Sequence, residues 1–479
     1  MKSITRAATD RLERERPECS ASGVLSPTQT SIAFGLVASL AFALFLAPFS
    51  TIVALNALVA LYFLLAAAYR LILMTVGWRT PVLQGSGSAP LAPNDLPIIT
   101  ILAPLYKDAE ALASLSRSIE DLDYPPEKKD VILLLEADDR ETRSEARRLG
   151  LNHCHKVICM PPIGPKTKPK ACNIGLYLAR GELIVIYDAE DQPEKDQLLK
   201  AAAAFQDADA SLACVQCRLN YYNREENWLT RLFTLEYALW FDWLLPALQK
   251  LRAPIPLGGT SNFFRTRTLI EAGGWDPHNV TEDADLGLRL SRLGYRVEML
   301  DSTTFEEANC RLGNWLRQRS RWIKGHLQTW LVHMRRPGEI VSTTGRSGLL
   351  SVQLFLAGNV FSALINPLLW AMFILLDVFD LGAGQFAVPA ELKWLNLTSL
   401  IAGNALFVTF AAMAPIKRGW RRLCVYGLTA PIYWLLASLA AYKAVWQIVF
   451  RPHYWEKTDH VISNIAIRRR LAILQGVAN

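Results

Sequence analysis

The sequence predicts an α/β domain inserted between α-helical membrane segments, and three observations predict it. Residues 31–47 and 51–77 are each apolar over a length that crosses a hydrocarbon core of roughly 30 Å, with Arg70 as their only charge. From residue 97 to 335, short apolar runs alternate with helical stretches of ordinary soluble composition, the pattern of a largely parallel sheet covered on both faces. Beyond residue 346 the chain turns hydrophobic again over 347–379, 394–414 and 423–450.

Taken in order, the chain opens on a polar segment, 1–30, carrying Lys2, Arg6, Arg11, Arg14 and Arg16. Cations before a first span hold that end inside, so a cytoplasmic tail is expected, and the second span that follows at once argues against a removable leader. Two transmembrane helices fill 31–79. The Pro-, Gly- and Ser-rich run "TPVLQGSGSAPLAPNDL" at 80–96 reads as a linker. In the α/β domain, 97–335, strands are expected at "PIITILAP", "DVILLLEA" (130–137), "KVICM" (156–160), "ELIVIYD" (182–188) and "LACVQCRL" (212–219). Ligands of open α/β sheets bind beyond the carboxyl ends of strands, which singles out Glu136 and Asp138 after one strand and Asp188, Glu190 and Asp191 after another. Residues 226–250 mix Trp228, Phe233, Trp240 and Trp243 with charges, a composition for a helix lying on the lipid surface or buried in the core. The last hydrophobic region, 347–450, reads as a bundle of three to four spans. Six crossings in all are favoured, because a count of five leaves the basic 451–479 tail outside.

Composition excludes several functions. The net charge of +7 is carried at membrane borders and no nucleic-acid motif is present, so no nucleic-acid partner is expected. Of eight cysteines the one close pair, Cys214 and Cys217, lies in a strand run where residues three apart face opposite ways, so structural, reduced thiols are expected.

Three stretches carry chemistry. "VIYDAEDQP" (185–193) sets Asp188 and Glu190 at a strand end, where they bind Mg²⁺ or Mn²⁺ or simply begin the next helix. "TEDAD" (281–285) is an N-cap Thr281 followed by an acidic first turn, or else a carboxylate placed to take a proton from an attacking hydroxyl. In "LRQRSRWIKGH" (316–326), Gln318, Arg321 and Trp322 share one helical face, offering an amide, a phosphate-binding guanidinium and an indole platform. Arg317, Arg319 and Lys324 then point elsewhere, toward anionic lipid head groups.

With the acids at 136–139, "DAE" at 188–190, "TED" at 281–283 and "QRSRW" at 318–322 in this order between membrane spans, the chain resembles the membrane-embedded family-2 glycosyltransferases, such as bacterial cellulose and hyaluronan synthases. "TKPKACNIG" (167–175) and "GGTSNFF" (258–264) look like family segments lining the donor and acceptor pockets. The resemblance implies a Rossmann-like GT-A domain and a UDP-sugar donor. It implies Asp283 as general base beside Glu282, Asp188 and Glu190 as holders of Mg²⁺ or Mn²⁺, and Gln318 and Arg321 on the diphosphate with Trp322 under the acceptor sugar. Glu136, Asp138, Asp139 and Lys170 would bind the nucleotide. Glu190 departs from the family pattern, which has a second Asp there, and "LEADDRET" replaces a simpler Asp-Asp turn. After the last hydrophobic stretch, "RPHYWEKTDH" (451–460) reads either as an interfacial belt or as a gating loop using Trp455, Lys457, Thr458 and His460.

The function expected is an inverting, metal-dependent hexosyltransferase of the bacterial inner membrane, its catalytic domain cytoplasmic, extending a β-linked cell-surface polysaccharide processively. The alternative is a single transfer that makes a glycolipid. A nucleotide-binding transporter or scaffold ranks third. Membrane lipids and a polysaccharide or lipid acceptor are the expected partners.

Overall fold

The computed structural model describes residues 2–85, 92–375 and 389–458, together with Ser463, Ile465 and Ile467. Its centre is one eight-stranded sheet: β1 (Ile99–Leu105), β2 (Lys129–Glu136), β3 (Lys156–Met160), β4 (Leu183–Ile186), β5 (Gln192–Pro193), β6 (Leu212–Tyr221), β7 (Asn262–Arg265) and β8 (Arg296–Glu306). The order across the sheet is β3-β2-β1-β4-β7-β6-β8-β5. β3, β2, β1 and β4 are parallel, as are β6 and β8, whereas β7 runs antiparallel to both its neighbours. Because β7 is reversed, its leading residues 258–261 arrive at the edge where β4 ends. This is how the Gly-rich segment reaches the acidic strand ends.

The five strands expected from the sequence are present as β1, β2, β3, β4 and β6, and β5, β7 and β8 are additions to them. Alternation along β2 shows why they hold: Ile132 and Leu134 enter one buried layer, and Val131, Leu133 and Leu135 the other. Fully burying each such side chain stabilises by roughly 1.5–3 kcal/mol. Cys214 and Cys217 are buried in β6 as free thiols.

Residues 2–30 are not a loose tail. The helix Lys2–Glu15 turns Thr5, Ala8, Thr9 and Leu12 inward, and Asn173 Nδ2, on the helix Lys168–Leu178, donates to the Ala8 carbonyl at 2.9 Å. Residues 226–250 are not a lipid-facing helix either. Leu232, Phe233, Leu235, Phe241 and Trp243 are all buried, Trp243 Nε1 donates to the Ala414 carbonyl at 3.1 Å, and Trp240 stacks on Phe355 at 4.6 Å. This segment is the layer between the sheet domain and the apolar helices.

Among the described residues five helices are long and apolar enough to cross a membrane: Pro27–Leu46, Pro48–Arg79, Pro337–Phe373, Ala390–Arg418 and Arg421–Phe450. Among the described residues no extra turn that would make six is seen, and residues 376–388, between two of these helices, lie outside that set. Pro337–Phe373 continues through Pro367 as one helical stretch, broken only at Gly345. The helix Ala430–Phe450 is held at its start by residues of the helices Trp228–Leu239 and Leu312–His333 and at its end by the segment that follows it. Tyr433 meets Glu236 and Trp315 near its start, and Lys443 and Gln447 meet Glu456 near its end. Between these points Ala440, Ala441 and Ala444 pack on Ile323 of the helix Leu312–His333. The outer face, Leu435, Leu439, Tyr442, Trp446 and Val449, is exposed.

Candidate active site

The carboxyl ends of β1, β2 and β4 open into a cavity of about 400 Å³. Its floor is the first turn of the helix Glu282–Arg292. Thr281 occupies the N-cap but gives no side-chain cap, its hydroxyl turning to Asn279. The turn is closely packed instead: a Cβ at Gly325 would collide with the Thr281 side chain, so only glycine lets the helix Leu312–His333 sit so near. Asp283 lies in this floor, and its Oδ1 accepts a hydrogen bond from Trp275 Nε1 at 3.2 Å. Burial first, then the neighbouring Glu282 carboxylate, push Asp283 well above the ordinary carboxylate range, and Glu282 is raised too.

Asp188 and Glu190 line the same cavity. Asp188 is paired with Lys168, whose Nζ lies 2.7 Å from Oδ1 and also reaches the Gly259 carbonyl. Asp191 does not face the cavity. It accepts from the Asp188 amide at 2.7 Å and from the Thr260 hydroxyl, so it shapes the turn that presents Asp188. Burial and the like charges of Asp188 and Glu190 raise its carboxyl well above the usual range, and Glu306 on the cavity wall is raised in the same way.

The four acids and bases assigned to the nucleotide separate. Glu136 reaches the cavity wall. Lys170 is fully buried behind it, its Nζ 2.7 Å from Glu136 Oε1, and therefore fixes Glu136 rather than touching a ligand. Asp139 caps the helix Arg140–Arg148 by accepting from the Thr142 amide at 3.2 Å and holds the Lys107 amide at 2.5 Å. Asp138 sits exposed, paired with Lys166.

Gln318, Arg321 and Trp322 all face the cavity from the helix Leu312–His333, as their spacing predicts. Arg321 lies 4.6 Å from the Trp455 ring centroid, and Gln318 Oε1 accepts from Asn309 at 2.8 Å. Two cations expected at lipid head groups are instead inside the protein. Arg319 forms a two-pronged pair with Glu236, donates to Tyr433 at 2.9 Å and stacks between aromatic rings, while buried Lys324 donates to the Tyr454 carbonyl at 2.7 Å. Residues 452–458 run as a strap over the cavity. Gln328 holds the Pro452 carbonyl at 3.0 Å, and Lys457 reaches Asp108 at 3.2 Å and the carbonyl of Tyr106. Thr458 is buried against the same cavity, and His460 lies outside the described residues.

A strand-end acidic cluster, a raised carboxyl in a cavity floor and a Gln-x-x-Arg-Trp face together can bind an anionic leaving group and accept a proton. A family model described as glycosyl transferase family group 2 matches residues 183–449, more than half of the chain. The chain belongs to that family. It is a family-2 glycosyltransferase, and its sheet is the GT-A fold. Among solved structures, a mannosyltransferase from Pyrobaculum calidifontis, determined with GDP-Man and Mn²⁺, superposes with a TM-score of 0.54 at 21% identity over 82% of this chain and 99% of that one. Among curated proteins, the "Probable glycosyltransferase YdaM" of Bacillus subtilis is 26% identical over 49% of this chain and 56% of its own length. The beta-monoglucosyldiacylglycerol synthase of Trichormus variabilis is 29% identical over 50% of this chain and 51% of its own length. The chain thus spans about half the length of the curated relatives it matches.

The family-2 cavity also holds residues that sequence reasoning passed over: Tyr106 and Asp108 after β1, Lys166, Glu236, Glu306 and His326; Lys168 comes from the 167–175 segment expected to line it. The strand-end rule, applied to β1 as it was to β2 and β4, would have found Asp108.

Proposed function

We propose that this glycosyltransferase moves a sugar from a nucleoside diphosphate donor, UDP by the resemblance, to a hydroxyl of a membrane lipid, with inversion. The observation that carries the reading is where the cavity leads. Through Glu236, Trp240, Arg319, Trp322 and His326 it shares a wall with a second cavity of about 240 Å³ among the apolar helices, which sets aliphatic side chains such as Leu232, Leu235, Leu239 and Ile323 beside Arg70 and Asn359. The aliphatic part of this lining suits acyl chains and its polar groups suit a head group between them and the transfer site. The relative whose name describes glucosyldiacylglycerol synthesis supports the same choice.

In this mechanism Asp283 takes the proton of the acceptor hydroxyl while that oxygen bonds to the anomeric carbon and the bond from this carbon to the diphosphate breaks. Arg321 and Gln318 meet the leaving diphosphate, and Trp322 carries the acceptor group. Glu136 and the Lys166–Asp138 rim lie nearest the base. Asp188 and Glu190 would hold Mg²⁺ or Mn²⁺. The crowding of like charges that raises Asp191 and Glu306 fits a cation. Among the described residues no group of three acids, histidines or cysteines converges for a metal, so donor phosphates and water would complete the shell. When bound, the ion would offset charge on the diphosphate. The strap 452–458 acts as the gate, with Trp455 over Arg321 and Lys457 at the donor rim.

The same reading places the sheet domain in the cytoplasm of a bacterial cell. Four helices cross, and Ala430–Phe450 lies in the interface with its apolar face in lipid, which returns the basic 451–458 strap to the catalytic side. Processive polysaccharide synthesis is the second reading, favoured by the continuity of the two cavities past Trp322. The test uses purified protein in lipid nanodiscs with Mg²⁺ or Mn²⁺ and radiolabelled UDP-glucose or UDP-N-acetylglucosamine, with Asp283→Asn as control. Label in an organic-extractable lipid that vanishes in the control is expected; label only in high-molecular-weight material would install the second reading.

A further inference from the structure

Arg70 is an ionic group that the transfer chemistry does not use. It lies nine residues before Arg79, the end of the helix Pro48–Arg79, which at about 1.5 Å per residue places it roughly 13 Å inside that helix. A charge at such a position is costly and is ordinarily met by an opposite charge. Among the described residues Arg70 has no carboxylate partner. Its guanidinium donates to Asn359 Oδ1 and lies 4.7 Å from the Phe407 ring centroid, and its Nε has no partner.

Arg70 and Asn359 line the 240 Å³ cavity between the apolar helices. The carboxylate on that wall, Glu236, is taken up by Arg319 and the Tyr433 hydroxyl. His326 adds no charge, because burial pushes its ring down to about 4. Among the described residues this cavity thus holds one cation, Arg70, that no carboxylate meets, and it shares its other wall with the cavity that holds Asp283.

We propose that this cavity binds the phosphate of an anionic membrane lipid at Arg70, and that this lipid is the acceptor, with its free hydroxyl reaching Asp283. The inference rests on the lipid-acceptor reading above. A neutral diglyceride would leave the guanidinium without a counter-charge in an apolar surrounding. A phosphate supplies that charge and matches the guanidinium fork.

The experiment compares nanodiscs of dioleoylphosphatidylcholine containing either dioleoylphosphatidylglycerol or dioleoylglycerol, with radiolabelled UDP-glucose and UDP-N-acetylglucosamine. Native mass spectrometry of the same samples counts retained phosphatidylglycerol without requiring turnover. The decisive variant is Asn359→Asp, which gives Arg70 an internal carboxylate and so keeps the helix contact while removing the demand for an outside anion. Transfer to phosphatidylglycerol is expected in the wild type and is expected to fall about tenfold or more in Asn359→Asp, with loss of a retained lipid and UDP affinity within about twofold. Arg70→Lys, which keeps the charge but not the fork, should fall between, and it replaces Asn359→Asp should that variant not fold. Two results overturn the proposal alone: equal lipid retention in wild type and Asn359→Asp, or transfer to dioleoylglycerol that neither variant alters. Both leave the lipid-acceptor reading standing. Label confined to high-molecular-weight glycan overturns the proposal and that reading together.

Discussion

Asp283 and Asp285 stand two residues apart in the first turn of one helix, and both are buried. Positions i and i+2 point to nearly opposite sides of a helix, so one carboxylate enters the cavity and the other the domain interior. Asp285 meets Arg289 at 2.7 Å and His333 at 3.0 Å, and although burial opposes its charge, these partners hold it below the ordinary carboxylate range. Asp283 has only a Trp275 N–H and the more distant Lys168 to set against burial and Glu282, and it is raised. Equal burial thus gives opposite chemistry. A carboxylate with dedicated cations is a structural member, and one without them is free to serve as the base proposed above.

The largest effect expected from breaking this contrast is in Asp283→Asn. Loss of a general base costs about 10²–10⁴ in turnover, read as kcat with UDP-sugar, while the melting temperature should hold or rise. The linkage has a definite sign. A carboxyl raised by folding binds more protons in the native state, so its contribution to stability is lost as pH rises through the folded value, and removing its charge relieves that loss. For the same reason wild-type turnover should fall on the acid side at a pH well above the range of ordinary carboxylates. An acid limb near pH 4, the ordinary carboxylate value, or a strongly destabilised Asp283→Asn, would break the comparison.

Asp285→Asn should do the reverse. It leaves buried Arg289 without its counter-charge, with only the Ala272 and Gly274 carbonyls still bonded to Nη1, a change that costs about 3–5 kcal/mol of stability, while turnover per folded molecule stays within about threefold. Its folded value is lowered, so the stability it supplies in the wild type is present above the unfolded value and lost as pH falls through the folded one. His333, lowered chiefly by burial, adds a loss that begins as pH drops below its unfolded value. A calorimetric pH series on the two variants separates them. The strap gives a smaller effect: Lys457→Ala should lower kcat by about tenfold, the scale of one or two lost hydrogen bonds to a charged group, with an unchanged melting temperature. Unaltered turnover would return residues 452–458 to the role of an interfacial belt.

Much of this was legible in the sequence, and what was not follows the same geometry. Periodicity placed five strands, and the i, i+3, i+4 spacing of Gln318, Arg321 and Trp322 correctly put them on one face. Composition did not separate Arg319 from Arg321, because the partner that draws Arg319 inward, Glu236, is 83 residues away. Lys168 and Lys170 pose the same problem: two residues apart, one reaches Asp188 in the cavity and the other seals Glu136 from behind. Hydropathy reports that Ala430–Phe450 has an apolar surface, but its contacts with Glu236, Trp315 and Ile323 are set by the fold and invisible to it.

The smallest prediction tests the last of these ambiguities, between Glu136 and Asp138 as readers of the nucleotide base. Glu136 is buried at the cavity wall and held in place by Lys170, so Glu136→Gln strands Lys170 and should perturb both fold and donor binding. Asp138 is exposed and its partner Lys166 is half exposed, an ion pair of the solvent-screened kind. Asp138→Asn should therefore raise the donor KM by no more than about threefold and leave kcat unchanged. Burial falls from Glu136 to Asp138, and the dependence of donor binding should fall with it. A KM shift beyond tenfold in Asp138→Asn would mean that the Lys166 rim folds over the base when donor binds, and would move the reading of the nucleotide from the wall to the rim.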